Sequence, residues 1–279
     1  MNKIGVLINL RADTDLKAKF AEAKEMGIES CQLSMWNTAL YTDGTAEMIN
    51  SAVKETGIEV SALWAGWSGP SEWNFSYGPA TIGLVPAAYR GMRLQELLRG
   101  SEFAEKIGVK DIITHVGFLP NDPADPDYIG TVGALRRLAR ELKQRGQRFL
   151  FETGQETPVT LLRAIEDIGA DNLGINLDTA NLILYGMANT VDALRVFGKY
   201  VRNTHIKDGL YPTDGRRLGI EVKAGDGLAN IPEVVATLLS LGYEGPLTIE
   251  REISGEEQKR DVAATVDYLK AILNNLAKK

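Results

Sequence analysis

The sequence predicts an α/β chain folded as one (β/α)8 barrel, and three observations carry that expectation. Eight short β-rich runs alternate without a break with longer segments of helical period. Most of the helical segments close on a glycine suited to a helix C-terminus. No Pro/Ser-rich linker or low-complexity stretch divides the 279 residues, so a single domain over 1–279 is expected.

The predicted strands are IGVLIN (4–9), SCQLSM (30–35), EVSALWAG (59–66), DIITHVG (111–117), RFLFETG (148–154), LGINLDT (173–179), VRNTHIKD (201–208) and LTIER (247–251). Helical segments lie between them: TDLKAKFAEAKEMG after the first, TAEMINSAVKETG after the second, LRRLARELKQRG after the fourth, TPVTLLRAIEDIG after the fifth and NIPEVVATLLSLG after the seventh. Their apolar residues recur at i, i+3, i+4 and i+7. A last helix from about Glu256 to Leu276 completes the eighth unit. The region 67–86, rich in Gly, Pro and aromatics, reads as an elaborated loop after the third strand, above the barrel mouth. A doubly wound open sheet is the rival architecture. It favours a glycine-rich turn after the first strand, and INLRADTD supplies none.

Composition narrows the partners. With 44% hydrophobic and 24% charged residues the chain can bury a large core. A net charge of −6 argues against nucleic acid and anionic membrane surfaces. The single cysteine, Cys31, excludes an internal disulfide framework and fits a reducing compartment. The first apolar run is too short for a signal peptide, and no stretch approaches a membrane span, so the expected address is cytoplasmic.

In a barrel of this kind chemistry gathers at the C-terminal ends of the strands. Read in order, those ends carry His115 on strand 4, Glu152 on strand 5, Asp178 on strand 6, His205 on strand 7 and Glu250 on strand 8. Both histidines of the chain fall on this face. A lone His or Glu at a strand end is more often structural than a ligand. Four candidates on four successive strands are a stronger signal than any member. Glu152, Asp178, His205 and Glu250 predict one divalent-metal site, whose three oxygens and one nitrogen suit Mn²⁺ first, with Mg²⁺, Co²⁺ or Zn²⁺ as alternatives.

The segments FETG, NLDTAN, THIKDG, VKAGDGLANIPEVVATLLSLGYEGPLTIE and the closing ERE resemble the xylose isomerase-like TIM-barrel superfamily of sugar (phosphate) isomerases and epimerases, over essentially the whole chain. By that resemblance Glu152, Asp178, His205 and Glu250 fall on the family's four metal-ligand positions, and Glu152 and Glu250 on its acid/base pair. The implied reaction is proton abstraction next to the carbonyl of a keto-sugar or sugar derivative, which needs a base, an acid and a Lewis acid. Return of the proton to the opposite face epimerises, return to the neighbouring carbon isomerises, and a leaving group β to the carbonyl gives elimination. That last outcome makes a lyase or dehydratase acting on a 3-keto-glycoside or inosose the alternative. A non-catalytic sugar-binding barrel ranks lower. An endonuclease IV-like nuclease, which needs a histidine-rich site, ranks lower too. The expected partner is a small-molecule sugar, with homo-oligomerisation left open.

The match departs from ketose 3-epimerases at three substrate-gripping positions. Pro158 stands where they carry Glu, Asn181 where they carry His and Tyr211 where they carry Arg. The chain thus keeps the metal set and changes the sugar-binding set. Replacement contacts are expected from His115, Asn181, Lys207 (two residues beyond His205 and hence on its face), Glu252 and Trp64. Trp36 and Trp67 are further stacking candidates, and Arg216 and Arg217 candidates for a phosphate. Core packing or solvated ion pairs compete at each. The KAGDG run (223–227) is too short for a nucleotide loop.

Overall fold

In the computed structural model, which describes residues 2–278, the strands are β1 (Ile4–Asn9), β2 (Ser30–Met35), β3 (Glu59–Ala65), β4 (Asp111–Thr114), β5 (Arg148–Glu152), β6 (Leu173–Asp178), β7 (Val201–Ile206), β8 (Asp208–Leu210), β9 (Ile220–Val222) and β10 (Leu247–Ile249). The helices are α1 (Leu16–Glu25), α2 (Asp43–Thr56), α3 (Gly78–Thr81), α4 (Ala87–Lys106), α5 (Pro126–Gln144), α6 (Pro158–Ile168), α7 (Asn181–Leu184), α8 (Thr190–Phe197), α9 (Ile231–Ser240) and α10 (Glu256–Leu276). Eight strands close in the order β1-β10-β7-β6-β5-β4-β3-β2, every pair parallel, while β8 and β9 form a separate antiparallel hairpin.

The closed sheet follows from its strand composition. β2, β4 and β6 are buried along their whole length, as parallel strands covered on both faces must be. The main apolar core lies between strands and helices, with Phe20, Leu33, Phe103, Leu138, Phe149 and Leu238 among its members. Inside the barrel, Ala62, Trp64, Ile113 and Leu150 form a small apolar cluster on the β3–β5 side. Helix boundaries are set by local chemistry. Asp15, Thr42, Asp125, Thr157 and Asn189 accept backbone N–H bonds at helix starts. Gly57 (φ 76°) and Gly169 (φ 68°) end α2 and α6 in the left-handed conformation.

Two features differ from the sequence expectation. The run 201–208 is not one strand: the barrel strand ends at Ile206, and Asp208–Leu210 leaves it to pair with Ile220–Val222. Asp208 ties this excursion down, its carboxylate accepting from the backbone N–H of Gly209, Gly225, Gly227 and Ala229 at 2.9–3.0 Å. A Cβ at position 227 would lie 2.2 Å from Asp208 Oδ1, so Gly227 of KAGDG serves this close approach. The second feature is α4, which buries Arg93 and Glu96 along with its apolar residues. The Arg93 guanidinium donates to the carbonyls of Ser68, Pro70, Thr81 and Gly83 and lies 3.9 Å over the Trp67 ring. Glu96 accepts from the Ser68 backbone N–H at 2.8 Å. The loop 67–86 is therefore held from below by two charged side chains whose hydrogen bonds are made inside the protein.

Candidate metal centre

A cavity of about 890 Å³ opens at the C-terminal ends of the barrel strands. Strand register brings the polar residues together there. Asn176 is the partner of Glu152 across β5–β6 and of Asn203 across β6–β7, and Asp178 is the partner of His205. Across β10–β7, Thr248 is the partner of His205, and Glu250, two residues on, follows on the same face. One ligand atom from each of Glu152, Asp178, His205 and Glu250 falls within 4.8 Å of the others.

The donor set fits a divalent ion. His205 Nδ1 lies 2.9 Å from Glu152, 3.3 Å from Glu250 and 3.9 Å from Asp178, yet makes no aligned hydrogen bond. Asp178 Oδ1 accepts from the backbone N–H of Ala180 and Asn181 at 2.7 Å each, leaving Oδ2 buried without a hydrogen bond, 3.7 Å from the Lys207 ammonium. Orphaned atoms of this kind, one nitrogen and one oxygen, are costly without a cation between them. Three hard carboxylates and one imidazole match the preferences of a small divalent metal.

The electrostatics of the cluster without metal point the same way. Burial raises Glu152, and it raises Asp178 well above the ordinary carboxylate range. Burial also acts to raise Glu250, but Lys207 and His205 outweigh it and hold that group well below 4.5. For His205 burial lowers the pKa, and Glu152 and Glu250 reverse this to leave it well above 6.5. Protons and an ammonium thus occupy the charge balance that a metal would take over.

Of the four, Glu152 and Glu250 line the cavity; the buried Asp178 and His205 do not. His115, Asn181, Trp64 and Glu252 also line it. Lys207 is different. Buried to 1% exposure, it is absent from the cavity wall, and its ammonium meets Glu252 at 2.8 Å, Glu250 at 3.3 Å, Asp178 at 3.7 Å and the Asn181 side-chain oxygen at 3.3 Å. In place of the expected contact with a substrate oxyanion, the ammonium braces three carboxylates, those of Glu252, Glu250 and Asp178. Trp67 packs rather than stacks on ligand, donating to Thr114 at 3.1 Å beneath Arg93. Arg216 and Arg217 are exposed and lie outside the cavity wall. Tyr211 is exposed and donates to the Gly186 carbonyl.

Sequence reading missed a buried polar chain. Gln32 of β2 donates to the side-chain oxygens of Asn176 (3.0 Å) and Asn203 (2.8 Å), and Asn176 in turn donates to Glu152. The one available signal was Gln32 itself, a large polar residue inside the apolar run SCQLSM. Trp73 and Tyr185 on the cavity wall were missed too, since loop residues carry no periodicity.

The family model described as xylose isomerase-like TIM barrel matches residues 20–272. The chain belongs to the xylose isomerase-like TIM barrel family. A solved xylose isomerase domain protein from Planctomyces limnophilus is 34% identical, covers 99% of each chain and superposes with a TM-score of 0.92. A xylose isomerase-like TIM barrel protein from Mycobacterium smegmatis, solved in complex with magnesium, is 16% identical over 99% of this chain and 98% of that one, with a TM-score of 0.74. A D-tagatose 3-epimerase-like protein is 18% identical over the same shares, also at 0.74. Further structures of the fold include an L-ribulose 3-epimerase and one described as a probable 3-DHS dehydratase from Bacillus anthracis, each 18% identical. Below 20% identity the likeness is one of fold. An uncharacterized protein of Methanocaldococcus jannaschii is 29% identical over 125 residues, which is 44% of this chain and only 40% of that protein's length.

Proposed function

We propose that this chain is a metal-dependent sugar epimerase or isomerase that moves a proton next to the carbonyl of a keto-sugar or sugar derivative, with Glu152 and Glu250 as its acid/base pair. One observation carries the reading: of four residues able to hold one ion, the two glutamates alone face the cavity. An L-ribulose 3-epimerase and a D-tagatose 3-epimerase-like protein among the solved structures of the fold, and the magnesium complex of another protein of that fold, support it.

Glu152, Asp178, His205 and Glu250 would hold the ion, Mn²⁺ in our reading, with Asp178 and His205 as pure ligands. Bound there, a divalent ion supplies a Lewis acid for charge that develops on the substrate carbonyl oxygen. The rest falls to the side chains. One glutamate accepts the proton from the carbon next to the carbonyl, and the other delivers a proton to the opposite face or to the neighbouring carbon. Asn176 fixes the Glu152 carboxylate by hydrogen bonding, and Lys207 fixes Glu250. His115 and Asn181 orient hydroxyls from the cavity wall.

The test is isotope exchange in D₂O on Mn²⁺-loaded protein with a panel of keto-sugars, keto-glycosides and inososes. Glu152→Gln and Glu250→Gln should each cut turnover by at least ~10²–10⁴-fold, while one of them still exchanges the substrate proton. Near-normal turnover in both variants with metal bound would remove the two-glutamate mechanism. NMR of the product separates epimer, isomer and eliminated sugar.

A further inference from the structure

All four tryptophans of the chain, Trp36, Trp64, Trp67 and Trp73, meet in one cluster, with Trp36 in contact with each of the others at ring-centroid distances of 4.7, 5.3 and 6.0 Å. Trp64 and Trp67 are buried, whereas Trp36 and Trp73 are 39% and 38% exposed and line the cavity. Trp36 follows β2 and Trp73 lies in the loop after β3, while the acidic cluster is carried by β5, β6, β7 and β10. The aromatic shelf and the metal ligands thus occupy different arcs of one mouth. Large aromatic rings left partly in water on a concave wall mark a place where another ring is received.

His115 stands at the seam. It is 7% exposed, its Nδ1 has no hydrogen-bond partner, and its ring lies 5.8 Å from Trp64 and 5.2 Å from Trp73. A buried imidazole nitrogen without a partner, between an apolar shelf and a carboxylate cluster, is placed to bond a polar atom of something that spans both. The cavity volume of about 890 Å³ is near the top of the ~300–1,000 Å³ range of small-molecule sites, more than one sugar ring requires.

Resting on the reaction proposed above, we infer that the substrate is a glycoside rather than a free monosaccharide: its reacting ring sits at Glu152 and Glu250, and a second ring packs into the corner formed by Trp36 and Trp73, whose planes stand 85° apart. The competing feature is Arg11 on the same wall, which enters no ion pair among the described residues and suits an anionic group such as a sugar phosphate. The shelf engages two rings and the seam histidine, so the glycoside accounts for more of the wall.

Titration of Mn²⁺-loaded protein with D-glucose, glucose 6-phosphate and phenyl β-D-glucopyranoside, followed by tryptophan emission, tests the inference. The phenyl glucoside should bind at least ~10-fold more tightly than glucose, and Trp36→Ala or Trp73→Ala should reduce that ratio to about 2 or less. Both positions are partly exposed, so the variants should keep the fold, which circular dichroism checks. Equal affinities, failure of the phenyl glucoside to bind, a ratio that survives both substitutions, or tighter binding of glucose 6-phosphate would each overturn it. None of the three probes reports on Glu152 or Glu250 catalysis, so the exchange experiment can fail while this one succeeds, and the reverse.

Discussion

Gln32 Oε1 lies 2.7 Å from His205 Nε2, across the interior of the barrel from β2 to β7. The amide nitrogen of Gln32 is committed to the two asparagine oxygens, so its carbonyl is the end that faces the imidazole. The network therefore places a proton on Nε2 and turns Nδ1 toward the three carboxylates. Gln32→Leu should weaken Mn²⁺ binding by about 10–100-fold and move the pH midpoint of binding, as loss of a ligand-orienting partner does elsewhere. Unchanged affinity in a titration would show that the contact has no bearing on the centre.

Metal binding should release protons. His205 is held protonated by Glu152 and Glu250 despite its burial, and burial keeps Glu152 and Asp178 protonated to higher pH than ordinary carboxylates. All must lose protons to act as ligands, so affinity rises with pH, by up to about tenfold per unit for each proton released. Calorimetry in buffers of different ionisation enthalpy measures the proton count; a count of zero contradicts the assignment.

The two histidines should separate cleanly. His205→Ala and Asp178→Asn should lose metal by more than the ~10–100-fold expected of an outer partner. His115→Ala should retain it and instead raise KM or lower kcat, because His115 lines the cavity outside the four-residue cluster. Metal content by elemental analysis decides. Burial pulls the His115 pKa down to about 3, so its ring is neutral at working pH and this split should not vary between pH 6 and 8.

Glu156 gives the stability curve a slope. Burial pushes its carboxyl up to about 8 from 4.5, and Oε1 has no hydrogen-bond partner. Below pH 4.5 folded and unfolded chains both hold the proton; between 4.5 and 8 only the folded chain does, so stability drains away as pH rises through that window. Glu156→Gln should raise Tm at pH 8–9, by on the order of 5 °C, and leave it nearly unchanged at pH 4.5. Thermal scans of both proteins over that range provide the check, and parallel curves would refute the buried-acid account.

Arg93 anchors the loop that carries Trp73. Arg93→Met strands four carbonyls that now accept from the guanidinium, at a cost on the order of 3 kcal/mol. Limited proteolysis should then cut within 67–86, where the wild type resists. A loss below about 0.5 kcal/mol would mean that water replaces the guanidinium without penalty.

The barrel and the meeting of Glu152, Asp178, His205 and Glu250 at its mouth could be read from sequence because each strand carries its own local signal. Strands announce themselves by β-rich runs, and a carboxylate at the end of an apolar run, as at Glu152 and Asp178, is conspicuous. What escaped depends on distant residues. Gln32 gains its role only by reaching across the barrel to β6 and β7, and register shifts beside it in the β2–β3 pairing (between Cys31 and Gln32) and opposite it in the β6–β7 pairing (between Ile175 and Asn176). Periodicity placed Lys207 on the inward face, but not the three carboxylates that occupy it. The excursion at Asp208 was absorbed into the preceding strand because nothing in VRNTHIKD marks where the barrel stops. In α4 two charged residues, Arg93 and Glu96, are buried with the apolar ones, which blurs its apolar stripe.

The hairpin between His205 and Glu250 gives protein engineering a docking port. Its stem is clamped by the four backbone bonds to Asp208, and Glu221 on its returning strand meets Arg251 at 2.9 Å, next to Glu250. Its tip is exposed from Thr213 to Arg217, and Gly215 has open space around it. A fluorophore or a whole inserted domain placed at Gly215 would sit outside the clamp, on an exposed tip whose stem stays tied to Asp208.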